Sequence, residues 1–351
     1  MITHKIIGKP DTEKIRAWFS RKGSKLLVYH RDADGVCSAA IFLKCFPDFN
    51  TIPREGPIID SHFFREIISR RPDALVFLDM PVDQEWEKIL KLCRELPGLR
   101  IMILDHHIPI KNMNSERIIH INPMFMGDAY IPASCVVYQL CSQMGFEVKP
   151  SMWVSIIGII GDYGMKDCRW MFKEYKQYVK KHGGPSCNDL YGASDILSSA
   201  ITLKGVIGAE KSLKILSGAS KYEDVRKSED LKKWNVIVQR EVNKIVNDFE
   251  KRKEIDEKVI LYEIKSSMNI TSIIATITAE RHPEEIVIIR KRSGDLWKIS
   301  LRYQAGKVSV GDLAKNASKG IGSGGGHVKS AGALVNDWQE FKRRVLEHIN
   351  K

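Results

Sequence analysis

Leu99-Arg100-Ile101-Met102-Ile103-Leu104-Asp105-His106-His107 is a short apolar run that stops on a carboxylate and two imidazoles. Three further runs end the same way. Leu26-Leu27-Val28-Tyr29 leads into His30-Arg31-Asp32-Ala33-Asp34-Gly35, Ala74 to Leu78 leads into Asp79, and Ile156 to Gly161 leads into Asp162. Buried elements that each deliver a polar group at one end point to a single crevice lined by those groups.

Around these endings the pattern alternates. Strands are expected at 26–30, 74–79, 100–104 and 118–121, with helices near 36–45, 62–69 and 84–96 between them. Such alternation predicts an α/β fold with a parallel sheet covered on both faces, in which ligands sit beyond the carboxyl ends of the strands. Helical patterns follow at 133–161, broken near Lys149-Pro150, and at 195–218. Residues 227–254 are highly charged, with Trp234, Ile237, Val238, Val242, Ile245 and Phe249 on one apolar face, as in a long linking helix. A smaller α/β unit is expected over 255–351. It has strands at 258–264, 285–290 and 295–303, a helix at 270–281, a glycine-rich loop ending Gly324-Gly325-Gly326-His327, and a helix from 336 onward. The expected organisation is therefore a domain at 1–226, a linker at 227–254 and a second domain at 255–351.

At 351 residues, 43% hydrophobic and 28% charged, the chain has the length and composition for two ordinary globular cores. No apolar stretch approaches the ~20 residues of a membrane span, and no signal core opens the chain. A cytoplasmic location is expected. Seven cysteines without a Cys-x-x-Cys pair read as reduced thiols, which argues against a disulfide framework or zinc finger. The net charge of +12 favours a polyanionic partner. Arg169, Trp170, Lys173, Tyr175, Lys176 and Tyr178 interleave cations with aromatics; such a stretch stacks nucleobases in some proteins and packs as an amphipathic helix in more.

His30, Asp32, Asp34, Asp79, Asp105, His106, His107 and Asp162 form the chemical set. Oxygen ligands mixed with imidazole suit Mn²⁺ best, with Mg²⁺ and Zn²⁺ possible. Crowded carboxylates repel one another unless cations neutralise them. Two ions about 3.5–4 Å apart would do so while activating the water that attacks a phosphoester. An aspartate after a strand is also a common helix N-cap, and Asp83 before Gln84 is read as one.

In this order, with Ser300-Leu301-Arg302, the Gly-Gly-Gly-His segment and Ala331-Gly332, the chain resembles the DHH phosphoesterase superfamily with its DHH-associated C-terminal domain. The nearest branch resembles the archaeal RecJ-like proteins and nano-RNases. The gap between His30 and Asp32 is shorter than in the pyrophosphatase-type branch. The resemblance implies one metal held by His30, Asp32 and Asp79, and another by Asp34, Asp79, His106 and Asp162. Asp105 would orient a histidine, and His107 would lie nearest the scissile phosphate. Arg290, Arg302, Gly324, Gly325, Gly326 and His327 would hold the nucleotide end across an interdomain cleft. The implied activity is Mn²⁺-dependent release of 5′-mononucleotides from single-stranded DNA or RNA, with a replication, repair or RNA-processing partner or self-association possible. The alternatives are a phosphodiesterase for short oligonucleotides, cyclic-dinucleotide products or pAp, and a non-catalytic scaffold. The complete acidic set argues against a scaffold.

Overall fold

Five short segments, Lys25–His30 (β1), Asn50–Arg54 (β2), Ala74–Leu78 (β3), Arg100–Leu104 (β4) and Ile118–Ile121 (β5), pair in the order β2-β1-β3-β4-β5. Every pairing is parallel. The computed structural model describes residues 10–127 and 129–349. It divides into two units, the first ending at Asn235 and the second starting at Val236. The break falls inside the long helix.

The first unit holds α1 (Thr12–Phe19), α2 (Ala33–Cys45), α3 (Ser61–Arg70), α4 (Trp86–Glu95), α5 (Ala133–Gln143), α6 (Met152–Gly161), α7 (Arg169–His182), α8 (Cys187–Lys204), α9 (Val206–Gly218), α10 (Tyr222–Arg226) and the start of α11 (Glu229–Arg252). Side chains alternate across a strand, so each strand feeds two cores. Leu27, Tyr29, Val76, Leu78, Met102 and Leu104 pack with α1, α2, α5, α6 and α8. Leu26, Val28, Leu75, Phe77, Ile101 and Ile103 pack with Phe63, Ile67, Ile89 and Leu92 of α3 and α4. Burial on both faces explains why the strands read as unbroken apolar runs.

The second unit continues α11 and adds β6 (Glu254–Asp256), β7 (Val259–Glu263), α12 (Thr271–Arg281), β8 (Ile286–Ser293), β9 (Leu296–Arg302), α13 (Val310–Ala317), β10 (Gly322–Gly326), β11 (Ser330–Val335) and α14 (Trp338–Ile349). Its sheet runs β10-β11-β9-β8-β7-β6, with only the β7–β8 pair parallel.

At three places the structure adds to or corrects the expected pattern. β2 was not foreseen, because Asn50 and Pro53 obscure its pattern; it pairs only with β1, at the sheet edge where a proline is tolerated. The pattern at 195–218 is two helices parted at Gly205. The glycine-rich segment is not a loop: Gly322–Gly326 is an edge strand paired with β11. All seven cysteines are free thiols. Among the described residues no helix is long and apolar enough to cross a membrane.

Gly158 lets α6 lie against α2 and α5. A Cβ there would sit 2.4 Å from the Ser134 hydroxyl and 2.6 Å from Asp34 Oδ1. Gly192 of α8, by contrast, has nothing within 4 Å of an added Cβ. Gly192→Ala should therefore stabilise by up to about 1 kcal/mol through helix propensity. Gly158→Ala should destabilise by about 1–3 kcal/mol through overpacking. Urea midpoints of the two variants measure this, and a midpoint for Gly158→Ala at or above that of the wild type would contradict the packing.

Candidate metal centre

The carboxyl ends of β1, β3 and β4 lie side by side, so His30, Asp79 and Asp105 to His107 emerge at one edge of the sheet. Asp79 follows β3 with a φ of 60°, a left-handed conformation unusual for a residue with a side chain. Asp32 caps α2, accepting the Gly35 N–H at 2.9 Å, and Asp34 lies in the first turn of that helix. Asp162 follows α6.

These groups form overlapping clusters. His30 Nδ1 is 2.9 Å from Asp32 Oδ2 and 3.4 Å from Asp79 Oδ2. His106 Nε2 is 3.2 Å from Asp79 Oδ1 and 3.5 Å from Asp162 Oδ2. Three sets each bring their ligand atoms within 4.8 Å of one another: His30, Asp32 and Asp79; Asp34, His106 and Asp162; and Asp79, His106 and His107. Asp79 and His106 are shared between sets, which gives the centre two adjoining halves.

The crowding of these groups sets their electrostatics. Burial, with Asp79 and Asp162 nearby, raises Asp34 well above the usual carboxylate range. Burial pushes Asp162 up to about 6 despite His106 and the Tyr130 hydroxyl. Desolvation alone would lower both imidazoles, yet Asp32 and Asp79 hold His30 well above its ordinary value, and Asp162 and Asp79 do so for His106. Asp32 overcomes its burial and is held low by His30.

A divalent cation fits this donor set. Asp79 Oδ1 and His30 Nδ1, both turned into the cluster, are buried and lie near charged neighbours but make no hydrogen bond of proper geometry. Such atoms are costly unless something coordinates them. His30 Nε2 lies 3.1 Å from the Glu55 carbonyl; donation there leaves Nδ1 as the basic nitrogen facing the carboxylates.

Groups around the centre fix its parts. Asp105 is fully buried and takes the His107 Nδ1 at 2.8 Å; despite its burial, that bond holds the carboxyl below its usual range. Asn122 Nδ2 donates to the His107 carbonyl at 2.8 Å. Asp34 accepts the N–H groups of Ala133 and Ser134 at 2.6 and 3.1 Å, capping α5. Asp83 is not the N-cap expected of it. It lies within the turn Val82–Glu85 and accepts the N–H groups of Ile110 and Lys111, pinning the loop after His107. Tyr130 was not foreseen either. Its hydroxyl donates to Asp162 at 2.7 Å, its ring packs on His106 at 5.1 Å, and its N–H reaches Asp167 at 3.3 Å.

In the second unit the residues expected to hold substrate divide between the two faces of the sheet. Arg302 is on the α12 side, its guanidinium bonded to Ser272, Thr276 and the Leu301 and Ala331 carbonyls. It pairs across the sheet with Ser330, whose carbonyl takes the His327 N–H at 2.7 Å. Gly325 is on this side, with nothing within 4 Å of an added Cβ. Gly324 faces the other way, where an added Cβ would lie 2.7 Å from the Ala314 carbonyl, and at Gly326 a Cβ would lie 2.4 Å from the Ser330 carbonyl. The first amides of α13 are taken by the Val328 and His327 carbonyls, so the helix start offers them to no anion. Arg290 is not brought to this set. It is on the opposite face, between the Trp297 and Trp338 rings and 2.6 Å from Glu263.

In metal-free protein, stability should fall as pH rises from about 4 to about 6. Asp162 holds its proton to about 6 when folded and to 3.8 in its unperturbed state, so across that window the folded chain binds more protons. Asp162→Asn should raise Tm in EDTA at pH 7 and flatten the fall. Thermal scans across pH read this out, and an unchanged slope would contradict the crowding.

Residues 25–160 match the DHH family, N-terminal domain, and residues 256–351 match the DHHA1 domain. Among solved structures, the exonuclease RecJ bound to manganese is similar over 97% of this chain and 93% of its own, at 16% identity and a TM-score of 0.71. The DHH domain of a member of the s1p family of ribosomal proteins is similar over 99% and 93%, at 14% and 0.76. RecJ in complex with Mn²⁺ from Thermus thermophilus is similar over 96% of this chain but 53% of its own, at 15% and 0.75, so this chain spans about half of that protein. At these identities the likeness is one of fold. No curated protein matches the chain in sequence. With both family domains present in order on one chain, it belongs to the DHH superfamily of metal-dependent phosphoesterases and carries a DHH-associated C-terminal domain.

Proposed function

We propose that the chain is a Mn²⁺-dependent phosphodiesterase that releases 5′-mononucleotides from single-stranded nucleic acid. The observation that carries this reading is the pair of ligand clusters joined through Asp79 and His106, a donor arrangement suited to two adjacent divalent ions. His30, Asp32 and Asp79 would hold one ion, and Asp34, His106 and Asp162, with Asp79 beside His106, would hold the other. When bound, two such ions supply Lewis acidity to the phosphate and a nucleophile at neutral pH.

The protein's own groups do the rest. Asp105 fixes the His107 ring through Nδ1, so Nε2 is the free nitrogen turned toward substrate. The Asp105 carboxylate holds His107 above its ordinary pKa against the effect of burial, so a protonated ring is available to stabilise charge on the phosphate or to protonate the leaving oxygen. Tyr130 and the cap on α5 keep Asp162 and Asp34 in register for ions. In the second unit, the Arg302 guanidinium, His327 and the open backbone at Gly325 make a small polar platform for a phosphate or a strand end. Gly324 and Gly326 serve it by letting the strand lie close to its neighbours. Arg290 is left outside this role.

Asp79→Ala removes the shared ligand and should lower turnover by at least a thousandfold; adding Asp105→Ala should abolish it. Unaffected turnover in the double variant would overturn the assignment. His107→Ala should lower kcat by about 10²–10⁴ with a smaller change in KM, the range of a general acid. End-labelled DNA and RNA of graded length, with Mn²⁺, Mg²⁺ or EDTA, test the substrate. A ladder of mononucleotide steps requiring Mn²⁺ is expected, and turnover confined to dinucleotides would replace the exonuclease reading with the short-substrate one.

A further inference from the structure

The segment that follows Asp162 carries a cationic groove that the metal centre does not use. Met165, Lys166, Arg169, Phe172, Lys173, Lys176, Gln177 and Tyr191 line a cavity of about 630 Å³ beside α7. Arg169, Lys173 and Lys176 recur every three or four residues along α7, so they share one helix face, and Lys166 extends the row into the turn before it. All four are exposed. Among the described residues their side chains make no hydrogen bond or ion pair. The opposite face of α7 is spent on packing, with Met171 and Tyr175 buried in the core. The cations are therefore surplus to the fold.

Like charges one turn apart on a helix destabilise it slightly. A stripe of four left unneutralised calls for an anion extended along it. Asp167 and Glu174 adjoin Lys166 and Lys173 in the chain, but among the described residues neither forms an ion pair with the four cations, and Asp167 accepts the Tyr130 N–H. Phe172, half-buried, and Tyr191, 42% exposed as a residue, give the groove an aromatic lining. A row of cations beside accessible rings suits a chain of phosphates with stackable bases, whereas an acidic peptide would use only the cations. The groove also starts where the chemistry ends. Met165 is three residues beyond Asp162, so their Cα atoms are at most about 11 Å apart along the chain.

We infer that this face of α7 is the track on which the undigested part of a single-stranded nucleic acid lies while its end occupies the metal centre. The inference rests on reading the chain as a nuclease and deepens it: the centre reads the scissile phosphate, and the stripe holds the phosphates beyond it. Affinity then grows with strand length until the stripe is filled, and it depends on salt through the counter-ions released.

The test uses the full chain in EDTA, where binding is separated from hydrolysis. Lys173→Glu with Lys176→Glu is compared with Lys91→Glu with Arg94→Glu, an equal charge change on α4, which packs against the other face of the sheet. A fluorescent 15-mer of single-stranded DNA, and one of RNA, should bind the α7 variant at least tenfold more weakly, with the salt slope reduced by about 2. The α4 variant should stay within twofold of the wild type. In Mn²⁺, the ratio of kcat/KM for the 15-mer to that for a dinucleotide should fall at least tenfold in the α7 variant. Equal weakening of both variants, or of neither, overturns the track. Displacement of the 15-mer by polyglutamate as effectively as by unlabelled DNA overturns nucleic acid as its occupant. If the wild type binds the 15-mer through α7 but hydrolyses no oligonucleotide with Mn²⁺, the nuclease reading fails while the surface stands.

Discussion

The structure is organised around a local excess of negative charge held where water is scarce. Asp34, Asp79 and Asp105 are almost fully buried, and Asp32 and Asp162 adjoin them. Burying carboxylates costs several kcal/mol each unless they are compensated. Two apolar cores offset that cost, one on each face of the parallel sheet, where each buried aliphatic or aromatic side chain contributes about 1.5–3 kcal/mol. The sheet is rigid because both faces are covered, and its strand ends are well placed because the sheet is rigid. The left-handed backbone at Asp79 is held within this frame, its N–H bonded to the Leu104 carbonyl of β4 at 2.9 Å.

Much of the first unit was legible in the sequence. Apolar runs of five or six residues cannot form a spanning helix, and their alternation with amphipathic segments leaves a doubly covered sheet as the natural solution. What escaped notice was weakly patterned. β2 carries a proline and three polar residues and needs no hydrophobic alternation at the sheet edge. The strand β10 is nearly all glycine, so it has no side chains to alternate; it exists because β11 offers a ladder and α13 packs closely over it. Composition suggested a loop there, and tertiary contact decided otherwise.

The clustered groups of the candidate metal centre were legible as a set because they sit at the ends of elements that announce themselves. The supporting groups were not. Tyr130 lies in an irregular segment with no spacing to mark it, and its reach to Asp162 is a product of folding. Asp83 resembled a helix cap because caps are defined by the next few residues, whereas its true partners are 27 and 28 positions away. Arg290 and Arg302 both come from the second sheet, and proximity in sequence said nothing of face. Only the strand register places them on opposite sides.

Asp34 has two occupations. It faces His106 and Asp162, and it also closes the start of α5 through two backbone amides. A descendant of this chain that abandoned catalysis would lose any reason to keep His106, yet would still need an acceptor at position 34 to terminate that helix. An aspartate surviving there is thus poor testimony to activity in a related protein. The histidine opposite it, with no comparable duty to the scaffold, is the better witness.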